Sequence, residues 1–140
     1  MSDDFSQLKT VLKTSGKSLT GPRKAVFATL RLEQPLTVNG LIARCSPADR
    51  ASVYRTISLF EQLGIIQRLQ MGWKYKLELS DAFQSHHHHL TCLNCSRVIT
   101  ISEDNELEFR LQELARSKYF VIKGHQLEVQ GLCLQCQNKI

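Results

Sequence analysis

The chain has 140 residues and a formal net charge of +5, enough for one domain or for two small ones that would each need a metal or a partner to complete a core. No apolar run approaches about 18 residues, and Met1-Ser2-Asp3-Asp4 lacks the basic-then-apolar order of an export signal, which excludes membrane roles and predicts a soluble, cytoplasmic protein. Residues 1–83 hold 12 Lys and Arg against 7 Asp and Glu while residues 84–140 hold 6 of each, so an anion-binding first part and a neutral second part with another task are expected.

In chain order, Ser2-Asp3-Asp4 is expected to cap a first helix with Phe5, Leu8, Val11 and Leu12 on one stripe, ending at Ser15-Gly16. Thr20 caps a second helix with Pro22 in its first turn and Ala25, Val26 and Leu30 inward; Thr37 caps a short third helix through Leu41 and Ile42. A fourth helix opens at Pro47 and Asp49 and stops at Gly64. Val53, Ile57, Phe60 and Gly64 define its inward stripe, leaving Arg50, Ser52, Arg55 and part of Tyr54 on other faces. Two strands follow, 65–69 and 73–79, about a turn at Met71-Gly72, with Trp73, Tyr75, Leu77 and Leu79 alternating against polar residues. Helices followed by a basic hairpin match a winged helix-turn-helix, although other small α+β domains share that order; the charge asymmetry favours DNA binding.

The segment 80–85 is short and polar and reads as a hinge. Beyond it, residues 90–92 and 97–101 predict a hairpin, Glu103 or Asp104 starts a helix with Leu107, Leu111 and Leu114 on one side, and 120–122 and 125–130 predict two more strands. Five cysteines stand at positions 45, 92, 95, 133 and 136. Two Cys-x-x-Cys pairs, Cys92/Cys95 and Cys133/Cys136, supply the four thiolates of a tetrahedral structural zinc; a redox dithiol is the competing reading, weakened because two matched pairs are present. Cys45, among apolar neighbours, is read as a small buried hydrophobe, with a redox-sensitive thiol as the alternative.

His86, His87, His88 and His89 run into the first pair. A tag fragment is the plain alternative, but tags sit at termini. Imidazoles suit zinc, iron(II), nickel or manganese, and in a strand alternate residues share a face, so His86 and His88 serve one site and His87 and His89 another, with His125 and Glu108 as distant members of one set. No catalytic Ser/His/Asp or paired-carboxylate arrangement is evident, and an enzyme is not expected.

With these pieces in place the sequence resembles the ferric uptake regulator family of bacterial metal-dependent transcription regulators. The likeness covers nearly the whole chain and is carried by Thr20-Gly-Pro-Arg23, Ala51-Ser-Val-Tyr-Arg-Thr56 leading to Gly64-Ile-Ile66, the stretch from His86 to Cys95, and His125-Gln-Leu-Glu-Val-Gln-Gly131 before Cys133 and Cys136. It implies an α+β protein with a winged helix-turn-helix in residues 1–83 and an α/β dimerisation domain with a four-cysteine zinc site in residues 84–140, acting as a homodimer on an AT-rich palindromic operator in double-stranded DNA. It implies that Tyr54 reads bases in the major groove, that Ser52, Arg55 and Arg23 lie near base edges or phosphates, and that Lys17 stands in for a minor-groove lysine absent at Ser18; Arg50 joins this set from its place on the same helix.

The resemblance further implies that Cys92, Cys95, Cys133 and Cys136 hold structural Zn2+. His86, His88, Glu108 and His125 then form a site within the dimerisation domain, with His88 where many members have aspartate. Glu78, His87 and His89 match a hinge sensing site, which in many members adds a histidine and an acid where this chain has Leu36 and Thr100. The function implied is a repressor of metal-uptake or metal-homeostasis genes, activated by a regulatory divalent ion, Fe2+ or Zn2+ with Mn2+ also compatible; zinc-specific and peroxide-type regulators of the same family are alternatives. The rival from another class is a zinc-ribbon module that buffers metal or binds protein without touching DNA.

Overall fold

The computed structural model describes residues 2–138, which form two compact units divided between Gln84 and Ser85. The first is built from α1 (Ser2–Thr14), α2 (Gly21–Leu32), α3 (Val38–Arg44), α4 (Arg50–Gln62) and an antiparallel hairpin of β1 (Ile66–Met71) and β2 (Lys74–Leu79). Leu8, Leu12, Val26, Phe27, Leu30, Leu41, Val53, Ile57, Phe60, Ile65, Leu77 and Leu79 make one buried core. Each helix contributes the residues its 3.6-residue period places inward, and β2 adds Leu77 and Leu79. Emptying one large member of such a core, as in Phe60→Ala, costs about 3–5 kcal/mol.

Local chemistry sets the boundaries. The Thr20 hydroxyl accepts from the Arg23 amide at 3.4 Å with proline beside it, and the Thr37 hydroxyl accepts from the Gly40 amide at 3.0 Å. Gly16 (φ 73°) and Gly64 (φ 70°) take the left-handed conformation that ends α1 and α4. Gly64 is exposed, so it terminates α4 and does not join the inward stripe; Thr56 takes the buried place instead. The capping expected of Ser2-Asp3-Asp4 falls partly on Ser2 and Asp3, whose side chains lie outside the described ones; Asp4 pairs with Arg31 at 3.3 Å.

In the hairpin, Met71 pairs with Lys74, so the turn is Gly72-Trp73, one residue later than the sequence pattern suggests. A two-residue loop needs a positive φ at its first position, which Gly72 supplies at 65°. Trp73 leaves the strand and is 86% exposed. Arg68 ties the hairpin to α4 through two hydrogen bonds to Glu61, of 2.8 and 3.2 Å, and lies 4.2 Å from the Tyr75 ring centroid. Leu36 exchanges backbone hydrogen bonds with Leu77 of β2, of 3.0 and 2.6 Å, and packs on the core.

The second unit is a three-stranded sheet in the order β4 (Val98–Ser102), β3 (His87–Cys92), β5 (Glu128–Gly131), with α5 (Asn105–Ser117) in the crossover and α6 (Leu134–Gln137) at the end. β3 is antiparallel to β4 and parallel to β5. Asp104 is the cap of α5; its carboxylate accepts from the amides of Glu106 and Leu107. The strand expected over 120–122 does not form: Tyr119 turns to φ 56° as α5 ends, and Phe120 and Val121 stand 67% and 72% exposed with no ladder beside them. The strand expected over 125–130 is shortened to β5, placing His125 before it and not on its face.

No residue of α5 is fully buried: in its expected stripe Leu107 and Leu111 are partly covered and Leu114 is exposed. The buried apolar cluster of this unit consists of Cys92, Cys133 and Cys136. A unit of this size with its sulfurs as its buried cluster has little apolar core of its own. Among the described residues no helix is long and apolar enough to cross a membrane.

Candidate metal centres and nucleic-acid face

The tight turn after β3 brings Cys92 and Cys95 together, with Ser96 in the left-handed region at φ 66°, and the start of α6 does the same for Cys133 and Cys136. All four sulfurs lie within 4.8 Å of one another, and Cys95 Sγ and Cys133 Sγ are 3.8 Å apart. A tetrahedral zinc with bonds of about 2.3 Å spaces its sulfurs by about 3.8 Å, so the set fits that ion. Amides of Cys95 and Cys133 aimed at Cys92 draw its pKa down to about 6. The Asn94 amide donates to Cys136 Sγ at 3.2 Å and pulls its pKa the same way, but burial and the neighbouring sulfurs outweigh this and push it to about 11. Four thiolates therefore need a cation among them. Asn94 escaped the sequence reading; its place inside the knuckle was the signal.

His86, just before β3, and His88 on it each place Nε2 2.8 Å from the same Glu108 oxygen, and His125 Nε2 lies 2.9 Å from the other. His86 Nε2 and His125 Nε2 are 3.1 Å apart. Protons on both would collide, whereas lone pairs on both would converge on a cation. Bonds of about 2.0–2.1 Å put ligand atoms about 2.9 Å apart at right angles and about 3.4 Å apart in a tetrahedron, so the donor set suits a divalent ion. Burial raises the Glu108 carboxyl, but hydrogen bonds from His88 and His86 and the charge of His125 prevail and hold it below the usual carboxylate range. The structure thus brings together all four residues assigned to this site.

His87 and His89 alternate to the other side of β3, with ring centroids 4.6 Å apart at 81°. On β5, Glu128 stands opposite His89 in the parallel register, and its carboxylate oxygen is 3.4 Å from His89 Nδ1. Glu128 was missed because its partnership depends on a long-range parallel register that spacing cannot reveal. Glu78, in the first unit, accepts a hydrogen bond of 2.8 Å from Gln67. Thr100 is exposed on β4 opposite His89, and Leu36 is committed to its bridge with Leu77.

In the first unit α4 buries Val53, Thr56, Ile57 and Phe60 and leaves Arg50, Tyr54 and Arg55 exposed. Arg23, Ser52 and Arg55 line one depression of about 270 Å³ with Thr20, Pro22 and Thr56. Arg55 donates to the Ser52 hydroxyl at 3.2 Å, and Arg23 donates to the Ser18 carbonyl at 2.7 Å, which fixes both guanidinium groups near the start of their helices. Lys17, Arg50 and Tyr54 are exposed outside that depression.

A winged-helix unit carried on the same chain as a four-cysteine cluster and two further histidine groups defines a metal-binding regulator of α+β architecture. The ferric uptake regulator family model matches residues 14–130. The ferric uptake regulation protein of Bordetella parapertussis is 35% identical over 133 residues, covering 90% of this chain and 94% of its own. The solved ferric uptake regulator of Vibrio cholerae is 31% identical with a TM-score of 0.72, covering 89% of this chain and 98% of its own. That of Helicobacter pylori shares the fold, with a TM-score of 0.79 at 22% identity, over 97% and 93% of the two chains. The chain belongs to the ferric uptake regulator family, whose members are metal-responsive transcription regulators.

Proposed function

We propose that the chain is a cytoplasmic, dimeric repressor that binds an AT-rich palindromic operator when a divalent ion occupies its histidine sites. The observation that carries this reading is the alternation along β3: His86 and His88 meet Glu108 and His125 on one side, while His87 and His89 pair on the other. One histidine run can thus serve two ion sites. Zinc would be held by Cys92, Cys95, Cys133 and Cys136 and would supply folding energy to the second unit. An ion on the histidine sites would supply a Lewis-acid centre that orders the residues holding it.

Duplex DNA would be met by Tyr54 and Ser52 at base edges and by Lys17, Arg23, Arg50 and Arg55 at phosphates or bases. The exposed apolar side chains Phe109, Leu114, Phe120 and Val121 support a homodimer, since a lone second unit would leave them in water. The regulatory ion is Fe2+ or Zn2+, with Mn2+ also compatible with imidazole and carboxylate donors.

Gel shifts on an AT-rich palindrome, with the labile sites first stripped and then loaded with Zn2+, Fe2+ or Mn2+, test the reading and identify the ion; equal binding in every condition contradicts it. The alternative of a metal-buffering zinc-ribbon module is separated by Tyr54→Ala, which cuts the preference for the operator by about 1–3 kcal/mol on the regulator reading and leaves metal uptake untouched on both.

A further inference from the structure

His89 lies on the central strand of the second sheet, flanked by Thr100 on β4 and by Glu128 on β5. Its Nδ1 faces Glu128 Oε2 at 3.4 Å, and both atoms are fully buried. An imidazole offers an ion one nitrogen and carries a proton on the other; which nitrogen does which is decided by the group facing the protonated one. A buried carboxylate on Nδ1 favours the proton there and leaves the Nε2 lone pair bare. The neighbouring His87 ring, packed edge-on against His89, restricts the rotation by which the two nitrogens could exchange places.

We propose that Glu128 is a positioning residue for the regulatory site: its carboxylate accepts the Nδ1 proton of His89 and thereby presents Nε2 to the ion. This rests on the reading above that His87 and His89 hold a divalent ion. At 3.4 Å the two buried atoms stand in ion-pair range without a hydrogen bond between them, and a small turn of the imidazole or carboxylate would align them. A carboxylate behind the imidazole also makes Nε2 a stronger donor, which matters in a chain with leucine at position 36 and threonine at position 100. Glu108, the other carboxylate near the histidine run, engages His86, His88 and His125 and leaves His89 to Glu128.

The test uses the full-length chain with its cysteine-bound zinc retained. Two-bond ¹H–¹⁵N spectra report His89 protonated on Nδ1 in the unaltered protein. That preference is lost in Glu128→Ala and restored in Glu128→Gln, whose amide oxygen still accepts. Cobalt(II) titration then shows the His87/His89 site weakened about 10–100-fold in Glu128→Ala, partly recovered in Glu128→Gln, with the His86/His88/Glu108/His125 site unchanged. A proton on Nε2 of His89 in the unaltered protein, or equal cobalt affinity with and without the Glu128 carboxylate, overturns the proposal. If His89→Ala loses the ion while Glu128→Ala does not, the positioning role alone fails; if neither substitution affects cobalt binding, the regulatory site itself is misassigned and the proposal falls with it.

Discussion

His86 Nε2 and His125 Nε2, from points 39 residues apart in the chain, face each other at 3.1 Å over the Glu108 carboxylate. Removing one ligand from such a set leaves the others without the geometry to hold an ion. His125→Ala is expected to weaken cobalt(II) binding at this site by at least ~100-fold, beyond the 10–100-fold typical of losing a supporting partner. The intense sulfur-to-cobalt absorption of a cobalt-substituted four-cysteine site should be unaffected. Optical titration of the two chains side by side checks both statements.

The four-cysteine site is expected to act on folding. Structural zinc of this kind binds with an apparent free energy of about 10–16 kcal/mol near neutral pH, far above what the thin apolar cluster around it supplies. Cys92→Ser should release one zinc per chain, abolish the melting of the second unit and dissociate the dimer. The first unit, with its own aliphatic and aromatic core, keeps a cooperative transition. Calorimetry with elemental analysis separates these events.

Cysteine reactivity should divide sharply. Cys45 is 1% exposed, its sulfur 3.7 Å from the Thr29 hydroxyl, and burial pushes its pKa up. At pH 7 it stays a protonated thiol in the core and escapes alkylation until the first unit unfolds. The zinc-site cysteines are shielded while the ion is bound; after chelation the second unit loses its folding energy, and Cys92, Cys95, Cys133 and Cys136 are alkylated well ahead of Cys45. Timed iodoacetamide labelling with peptide mass spectrometry measures the order.

DNA binding should be strongly salt-dependent because the formal positive excess lies entirely in residues 1–83. Arg55→Ala is expected to weaken binding to all sequences and to lower the slope of log affinity against log salt by about 1, the loss of one phosphate contact. Tyr54→Ala should instead reduce discrimination between operator and random duplex, by about 1–3 kcal/mol for one lost base contact. Fluorescence anisotropy across a salt series distinguishes the two.

Local signals carried much of this molecule. Thr20 with Pro22, Thr37 and Gly64 mark helix ends by side-chain and backbone chemistry that acts within four residues, and the period of Val53, Ile57 and Phe60 was visible for the same reason. The two histidine faces followed from strand alternation alone. What sequence could not provide depended on long-range pairing: Glu128 opposite His89, the Leu36–Leu77 bridge, and the absence of a ladder beside residues 120–122. Trp73 was misplaced by one register step, since both it and Lys74 fit an alternating strand and only the Met71–Lys74 pairing decides where the chain turns. His125 and Glu108 were distant candidates for one histidine set, the family likeness joined them to His86 and His88, and the convergence of three imidazoles on the Glu108 carboxylate gives that grouping a physical basis.

Ions on the histidine sites are expected to govern DNA binding while the cysteine-bound zinc only maintains the fold. The most direct test is operator affinity of the full-length chain with that zinc retained, measured with the histidine sites stripped and then refilled. A coupling of about 1–3 kcal/mol, or about 5–150-fold, is the range expected of two linked sites. Tighter binding within that range is expected on refilling, and the same affinity before and after would contradict ion control of DNA binding.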